Sequence, residues 1–200
     1  MKLVLLSDTH NTQPNVPNGD VLIHCGDFSN TGSFVQVQDQ LNWLDALPHK
    51  TKIVIAGNHD YALEKFLEKR DLLASLSTIT YLENSGVEVE GVKFWGSPIN
   101  PPFMNWAFQP PRFNWEAAIP KDVEVLITHA PPFGILDSNS HFSSIGCPNL
   151  LEAVRKLPKL RIHVFGHVHE NMGTKLIDGT LFINCALGGR LSAKPIEVQL

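Results

Sequence analysis

Side chains suited to binding cations cluster in five short blocks of this 200-residue sequence, each directly after an apolar run. Ser7-Asp8-Thr9-His10 follows residues 3–6, Gly26-Asp27 follows 21–25, and Gly57-Asn58-His59-Asp60 follows 52–56. His129 follows residues 124–128, and Gly166-His167-Val168-His169 follows 161–165. Carboxylate, carboxamide and imidazole are the donor types of hard and borderline divalent ions. In extended chain, residues i and i+2 project to one side. This spacing predicts that Asp8 and His10 face one centre together, and that His167 and His169 do the same. The glycines at 26, 57 and 166 let the backbone turn tightly and bring the next side chain close. The donors are Asp8, His10, Asp27, Asn58, His129, His167 and His169. Seven are too many for one tetrahedral ion and suit two ions sharing a carboxylate. Only two of the seven are anionic, so two divalent ions would leave net positive charge for an anionic substrate.

The elements that must position these donors are legible from periodicity. The five apolar runs are short, β-branched and nearly continuous, as in strands covered on both faces. Ligands gather at the carboxyl ends of such strands. Residues 33–47 carry Phe34, Val37, Leu41, Leu44 and Leu47 at helical spacing, and Pro48 ends the pattern. Residues 61–76 carry Leu63, Phe66, Leu67, Leu73 and Leu76 in similar fashion. Pro148 opens a predicted helix running to Lys156. Glu90-Gly91 and Asp178-Gly179 are two-residue hairpin turns, and residues 195–200 form a closing strand. Strand–helix alternation followed by hairpins predicts an α/β (α+β) fold. Its two mixed sheets would pack as a sandwich flanked by helices, in one domain over residues 1–200.

Composition narrows the function. Sixteen basic against 20 acidic residues leave a net charge of −4, which argues against a nucleic-acid partner. Residues 1–6 are too short an apolar run for a signal segment or a membrane span. Three widely spaced cysteines fit a reducing compartment, which points to the cytoplasm. Residues 94–115 hold three of four tryptophans, four of eleven phenylalanines and five of fourteen prolines. A loop this stiff and aromatic is either a cover for the core or the wall of a cleft. As a wall it would offer Trp106 for stacking and Arg112 for a phosphate, and His141 is a further candidate contact. His24 and His163, inside apolar runs, read as core histidines, Cys25 as a core thiol, and His49 as a solvated turn residue. Gly188-Gly189-Arg190 reads as a surface turn.

The ordered blocks D-x-H, G-D, G-N-H-D, H and G-H-x-H resemble the calcineurin-like metallophosphoesterase superfamily. Gly96-Ser97-Pro98, residues 128–132 (T-H-A-P-P), Gly146-Cys147 and residues 163–167 (H-V-F-G-H) are most similar to its MPPED-type class III cyclic nucleotide phosphodiesterases. The resemblance implies one ion held by Asp8, His10, Asp27 and His169. It implies a second held by Asp27, Asn58, His129 and His167, with Asp27 bridging. Mixed nitrogen and oxygen donors admit Mn, Fe, Zn or Ni. The implied reaction is hydrolysis of a small nucleotide-like or cyclic nucleotide phosphodiester by a metal-bridging hydroxide, with His59 acting at the leaving oxygen. The alternatives are a phosphomonoesterase on small metabolites and a non-catalytic metal-binding scaffold. The sequence leaves the oligomeric state open. One departure bears on His59. Protein phosphatases of the superfamily place an aspartate where this chain has Asn30, and that aspartate orients the catalytic histidine. An amide at this position counts against a phosphoprotein phosphatase.

Overall fold

The computed structural model describes residues 1–66, 68–141 and 144–200. Four parallel strands, β1 (Lys2–Leu6), β2 (Val21–His24), β3 (Thr51–Val54) and β4 (Ile79–Tyr81), pair in that order. The C-terminal strand β11 (Ile196–Gln199) closes the other edge, antiparallel to β1. The second sheet has six strands. The hairpin β5 (Ser85–Val89) and β6 (Val92–Ser97) leads into β7 (Val125–Thr128) and β8 (Ile162–Phe165). β10 (Thr180–Asn184) then runs parallel to β8, and β9 (Gly173–Ile177) pairs antiparallel on its far side.

Alternation along each strand builds three apolar layers. Leu3 and Leu5 point between the sheets with Ile23, Ile53, Ile127, Val164 and Ile183. Val4 and Leu6 point outward to α1 (Phe34–Ala46). Across the second sheet, Leu126 and Phe165 meet α4 (Trp115–Ala118) and α5 (Pro148–Val154). Covering both faces is why these runs carry almost no polar residues, and each buried aliphatic side chain contributes about 1.5–3 kcal/mol. Ser33 caps α1 by accepting from the Gln36 N–H, and Val37, Leu41 and Leu44 form its buried stripe.

Two expected elements differ. The helix expected over 61–76 is two helices, α2 (Tyr61–Lys65) and α3 (Lys69–Ser75). Phe66 is extended at the break, and Lys69 Nζ satisfies the free Leu63 carbonyl at 2.9 Å. Leu67 lies outside the described residues. The aromatic segment is not one loop. Its first residues belong to β6, where Phe94 faces the inter-sheet core while Trp95 faces the outer layer with Trp115 of α4. Only residues 98–114 form the loop proper. His49 is buried rather than solvated, because its Nε2 bonds the Pro17 carbonyl at 2.9 Å. No helix among the described residues is long and apolar enough to cross a membrane.

Candidate metal centre

The parallel strands of both sheets point their carboxyl ends to one edge, and a bridge between Ser7 and Ala186 joins the sheets there. The seven candidate donors converge at this edge in two groups. Asp8, His10 and His169 form one, and Asp27, His129 and His167 the other. Within each group the ligand atoms lie within 4.8 Å of one another. His169 Nε2 lies 3.1 Å from Asp8 Oδ1 and 3.3 Å from His10 Nε2. His129 Nε2 lies 3.2 Å from Asp27 Oδ2 and 2.9 Å from Asn58 Oδ1, which brings Asn58 to the second group. The groups adjoin, since Asp8 Oδ2 accepts from the His167 N–H at 2.9 Å.

The expected pairing by spacing holds for Asp8 and His10 but not for His167 and His169, which part into different groups. The backbone is not extended at these positions. Asp8, His10, Asp27 and His167 have φ of 56, 45, 54 and 69°. Four non-glycine residues in the left-handed region cost on the order of 1 kcal/mol or more each, and such strain clusters where side chains must be aimed. Close approach adds to this. A Cβ on Gly57 would lie 2.2 Å from Asp27 Oδ1, and one on Gly166 2.2 Å from Asp8 Oδ2. Glycine is the residue that leaves space for the carboxylates.

Hydrogen bonds from behind fix each donor. His10 and His129 bond the Ser29 and Cys25 carbonyls through Nδ1, at 3.3 and 2.7 Å. A carbonyl only accepts, so Nδ1 carries the proton and the Nε2 lone pair faces the cluster, as in metal-ligating histidines. Buried Asp60, which sequence reasoning passed over, accepts from the N–H groups of Asp27, Gly57 and Ser29 at 2.8, 2.8 and 3.0 Å. It thereby ties the second block to the third. The only signal for it was its place at the end of G-N-H-D.

The electrostatics suit cations. Burial disfavours the Asp8 carboxylate. Its bond to His169 and the surrounding imidazoles nevertheless hold it ionised, well below the usual range. Burial likewise opposes ionisation of Asp27, and His129 overcomes it. Burial also opposes a proton on His129, yet Asp27 and then Asp8 raise its pKa to about 9. Two buried carboxylates facing Nε2 lone pairs, with an Asn58 Oδ1 alongside, are a donor set that fits divalent ions.

His24 and His163 are buried, as expected, and have a task. Gly26 N–H donates to His24 Nδ1, so its Nε2–H donates to Thr9 Oγ1, at 3.2 and 3.1 Å. Thr128 Oγ1 donates to the Ala130 carbonyl and accepts from His163 Nε2 at 2.9 Å. Each histidine thus steadies a threonine adjoining a candidate donor. Burial lowers both pKa values to about 3. The unfolded chain takes up these protons near pH 6.5, so stability is full above that pH and falls as the pH drops toward 3. Each group contributes a slope approaching ~1 kcal/mol per pH unit in that window. In chelator, His163→Gln is expected to lose less stability than wild type between pH 7 and 5, read from urea midpoints. An equal fall in both proteins would show that His163 titrates normally.

His59 adjoins both groups. Its N–H donates to Asp27 Oδ1 at 2.7 Å, its ring lies 5.0 Å from His10, and its Nδ1 bonds the backbone carbonyl of Asn30 at 2.7 Å. The partner is therefore the main chain of residue 30, not its carboxamide, and the exchange of Asp for Asn there leaves this bond unaffected. Trp106 stands over the site, 5.3 Å from His59 and 6.2 Å from His167 between ring centroids. Asn58 O, Tyr61 Oη and Glu64 Oε1 pin its loop through Ala107 N, Asn105 O and Phe108 N. Arg112 instead lines a separate cavity of about 700 Å³ with Asn100, Phe113 and Asn149. None of the seven donors lines that cavity, because the Trp106 excursion leaves and returns at Asn100 and Phe108, which are bonded to each other. His141 is exposed, and among the described residues no hydrogen bond or ring contact links it to the donors.

Comparison with known proteins agrees with this geometry. The calcineurin-like phosphoesterase profile matches residues 1–171. The chain belongs to the calcineurin-like phosphoesterase family. It is 37% identical to human metallophosphoesterase domain-containing protein 1, over 100% of this chain and 71% of that protein. It is 38% identical to a protein of Emericella nidulans named probable rhamnogalacturonate lyase C. That match takes in 88% of this chain but spans only 18% of the fungal protein. A solved crystal structure, 15% identical, superposes with a TM-score of 0.68 over 92% of this chain and 89% of that one, and shares the fold. Members of the calcineurin-like phosphoesterase family hydrolyse phosphoric esters with divalent metal ions, and the two donor groups stand where such ions would bind.

Proposed function

We propose that this chain is a two-metal phosphodiesterase acting on small nucleotide-like phosphodiesters, cyclic nucleotides among them. The observation that carries the reading is the pair of adjoining donor groups with His59 and Trp106 directly above them. Asp8, His10 and His169 would hold one ion and Asn58, His129 and His167 the other, with Asp27 shared. Bound there, two divalent ions would supply Lewis-acid charge and lower the pKa of a water molecule. The chain's own residues do the rest. Two carboxylates among seven donors leave the loaded site cationic, which draws in an anionic ester. His59, with Nδ1–H committed to the Asn30 carbonyl, presents Nε2 to the leaving oxygen and can deliver a proton from that atom. A neutral carbonyl supports an imidazolium less than a carboxylate would, which suits diesters whose leaving groups need little protonation. Trp106 offers a face for a base. Three free, buried cysteines support a reducing compartment, the cytoplasm.

The test is a phosphoester panel on chelated and Mn-reloaded protein. Reloading is expected to restore hydrolysis of diesters in preference to monoesters, and the reverse preference would make the chain a phosphomonoesterase. In the same panel, Trp106→Ala is expected to raise KM for a cyclic nucleotide about tenfold while a small aliphatic diester is little affected. If both substrates fall together and the melting temperature drops, Trp106 supports the fold and not the base.

A further inference from the structure

Gly188-Gly189-Arg190, legible in the sequence only as a surface turn, packs against the candidate donors. Beyond β10, Leu187 N–H donates to the Ser7 carbonyl at 2.9 Å and Gly189 N–H to the Asp8 carbonyl at 2.8 Å. Arg190 N–H returns to the Leu187 carbonyl at 3.3 Å and closes the turn. Gly188 and Gly189 have φ of 61 and 68°, the two left-handed central residues of a type I′ turn. A Cβ on Gly188 would lie 3.2 Å from His169 Cβ and Cγ, and one on Gly189 3.5 Å from His10 Cβ. The turn's backbone therefore rests on the two imidazoles of the first donor group, and Arg190 is the next residue.

Arg190 is exposed, and its Nε donates to the Leu187 carbonyl at 3.0 Å, folding the side chain back over this turn. Among the described residues, no hydrogen bond or ion pair engages its Nη groups. No other cation is supplied locally: the sequence has no Lys or Arg within five residues of any of the seven donors or of His59. We propose that Arg190 is a substrate-binding residue whose Nη groups hold a non-bridging oxygen of the phosphoryl group at this site. A guanidinium presents parallel N–H donors in the geometry that phosphate oxygens accept. This inference rests on the phosphoesterase reading and adds to it a contact made by the chain itself.

The experiment compares wild type, Arg190→Gln and Arg190→Lys, each Mn-loaded, in three measurements: metal content, kinetics on bis-nitrophenyl phosphate, and calorimetric Kd for inorganic phosphate. Arg190→Gln is expected to keep its metal, raise KM and the phosphate Kd about tenfold, and change kcat little. Arg190→Lys should fall between, since it keeps the charge but loses the fork. Added guanidinium should restore part of the Arg190→Gln loss. Unchanged KM and phosphate Kd in Arg190→Gln would overturn the assignment, as would loss of metal, which would make the turn a structural support only. If wild type binds metal but hydrolyses no phosphoester, the enzymatic reading fails, and the phosphate Kd values still decide the role of Arg190.

Discussion

Asp27→Asn is expected to reduce turnover roughly a thousandfold or more, the loss that several kcal/mol of misplaced charge implies. Asp27 is held from three sides. Oδ1 accepts from the His59 N–H, Oδ2 faces His129 Nε2, and its own N–H donates to Asp60. An asparagine must set its amide NH2 against either the His59 N–H or the donor side of the cluster, and it removes one of the two anionic ligands. Asn58→Ala is the graded comparison. It removes a neutral oxygen from one group, and its cost should be roughly ten- to a hundredfold. Metal content measured beside kcat separates the causes: Asp27→Asn should lose both ions, and Asn58→Ala should weaken one. Full activity in chelated, metal-free wild type would sink the mechanism, and an Asp27→Asn protein retaining both ions and near-normal turnover would remove Asp27 from the centre.

His59→Ala should retain the metals and the fold yet lose about a hundredfold in kcat. The ring is a partly exposed side chain at the mouth of the site, so deleting it leaves no sealed cavity. The Asp27 contact survives because it uses the His59 backbone N–H. If Nε2 delivers a proton to the leaving oxygen, the loss should be smaller for nitrophenolate esters than for alkyl or ribosyl esters, whose leaving groups need that proton. An equal loss across the series would leave His59 as an electrostatic stabiliser without proton transfer. Asn30→Ala is the companion control. Because the partner of His59 is the residue 30 carbonyl, this variant should change kcat little, whereas a role for the carboxamide would make it resemble His59→Ala.

The sequence by itself determined the layered α/β plan and the donor types. Both depend on local rules: continuous β-branched runs need cover on two faces, and polar blocks after such runs fall at strand ends. That is why Asp8, His10, Asp27, Asn58, His129, His167 and His169 could be named, and why the hairpin turns at Glu90-Gly91 and Asp178-Gly179 fell where periodicity put them. The tertiary structure alone decided how the donors divide. His167 and His169 part because left-handed backbone at residue 167 replaces the extended chain that their spacing assumed. Partners supplied by main-chain carbonyls were also illegible, because every residue carries one and sequence does not mark which is near. The Asn30 carbonyl behind His59 is such a case, and so is the Pro17 carbonyl that keeps His49 buried. Long-range packing likewise split the aromatic segment, sending Trp95 and Trp115 to the outer layer, Trp106 to His59, and Arg112 to a separate cavity. The same holds for Gly188-Gly189-Arg190. Two glycines near the C-terminus signal a turn, but only the pairing of β10 with β8 and the bridge from Ala186 to Ser7 carry that turn onto His10 and His169.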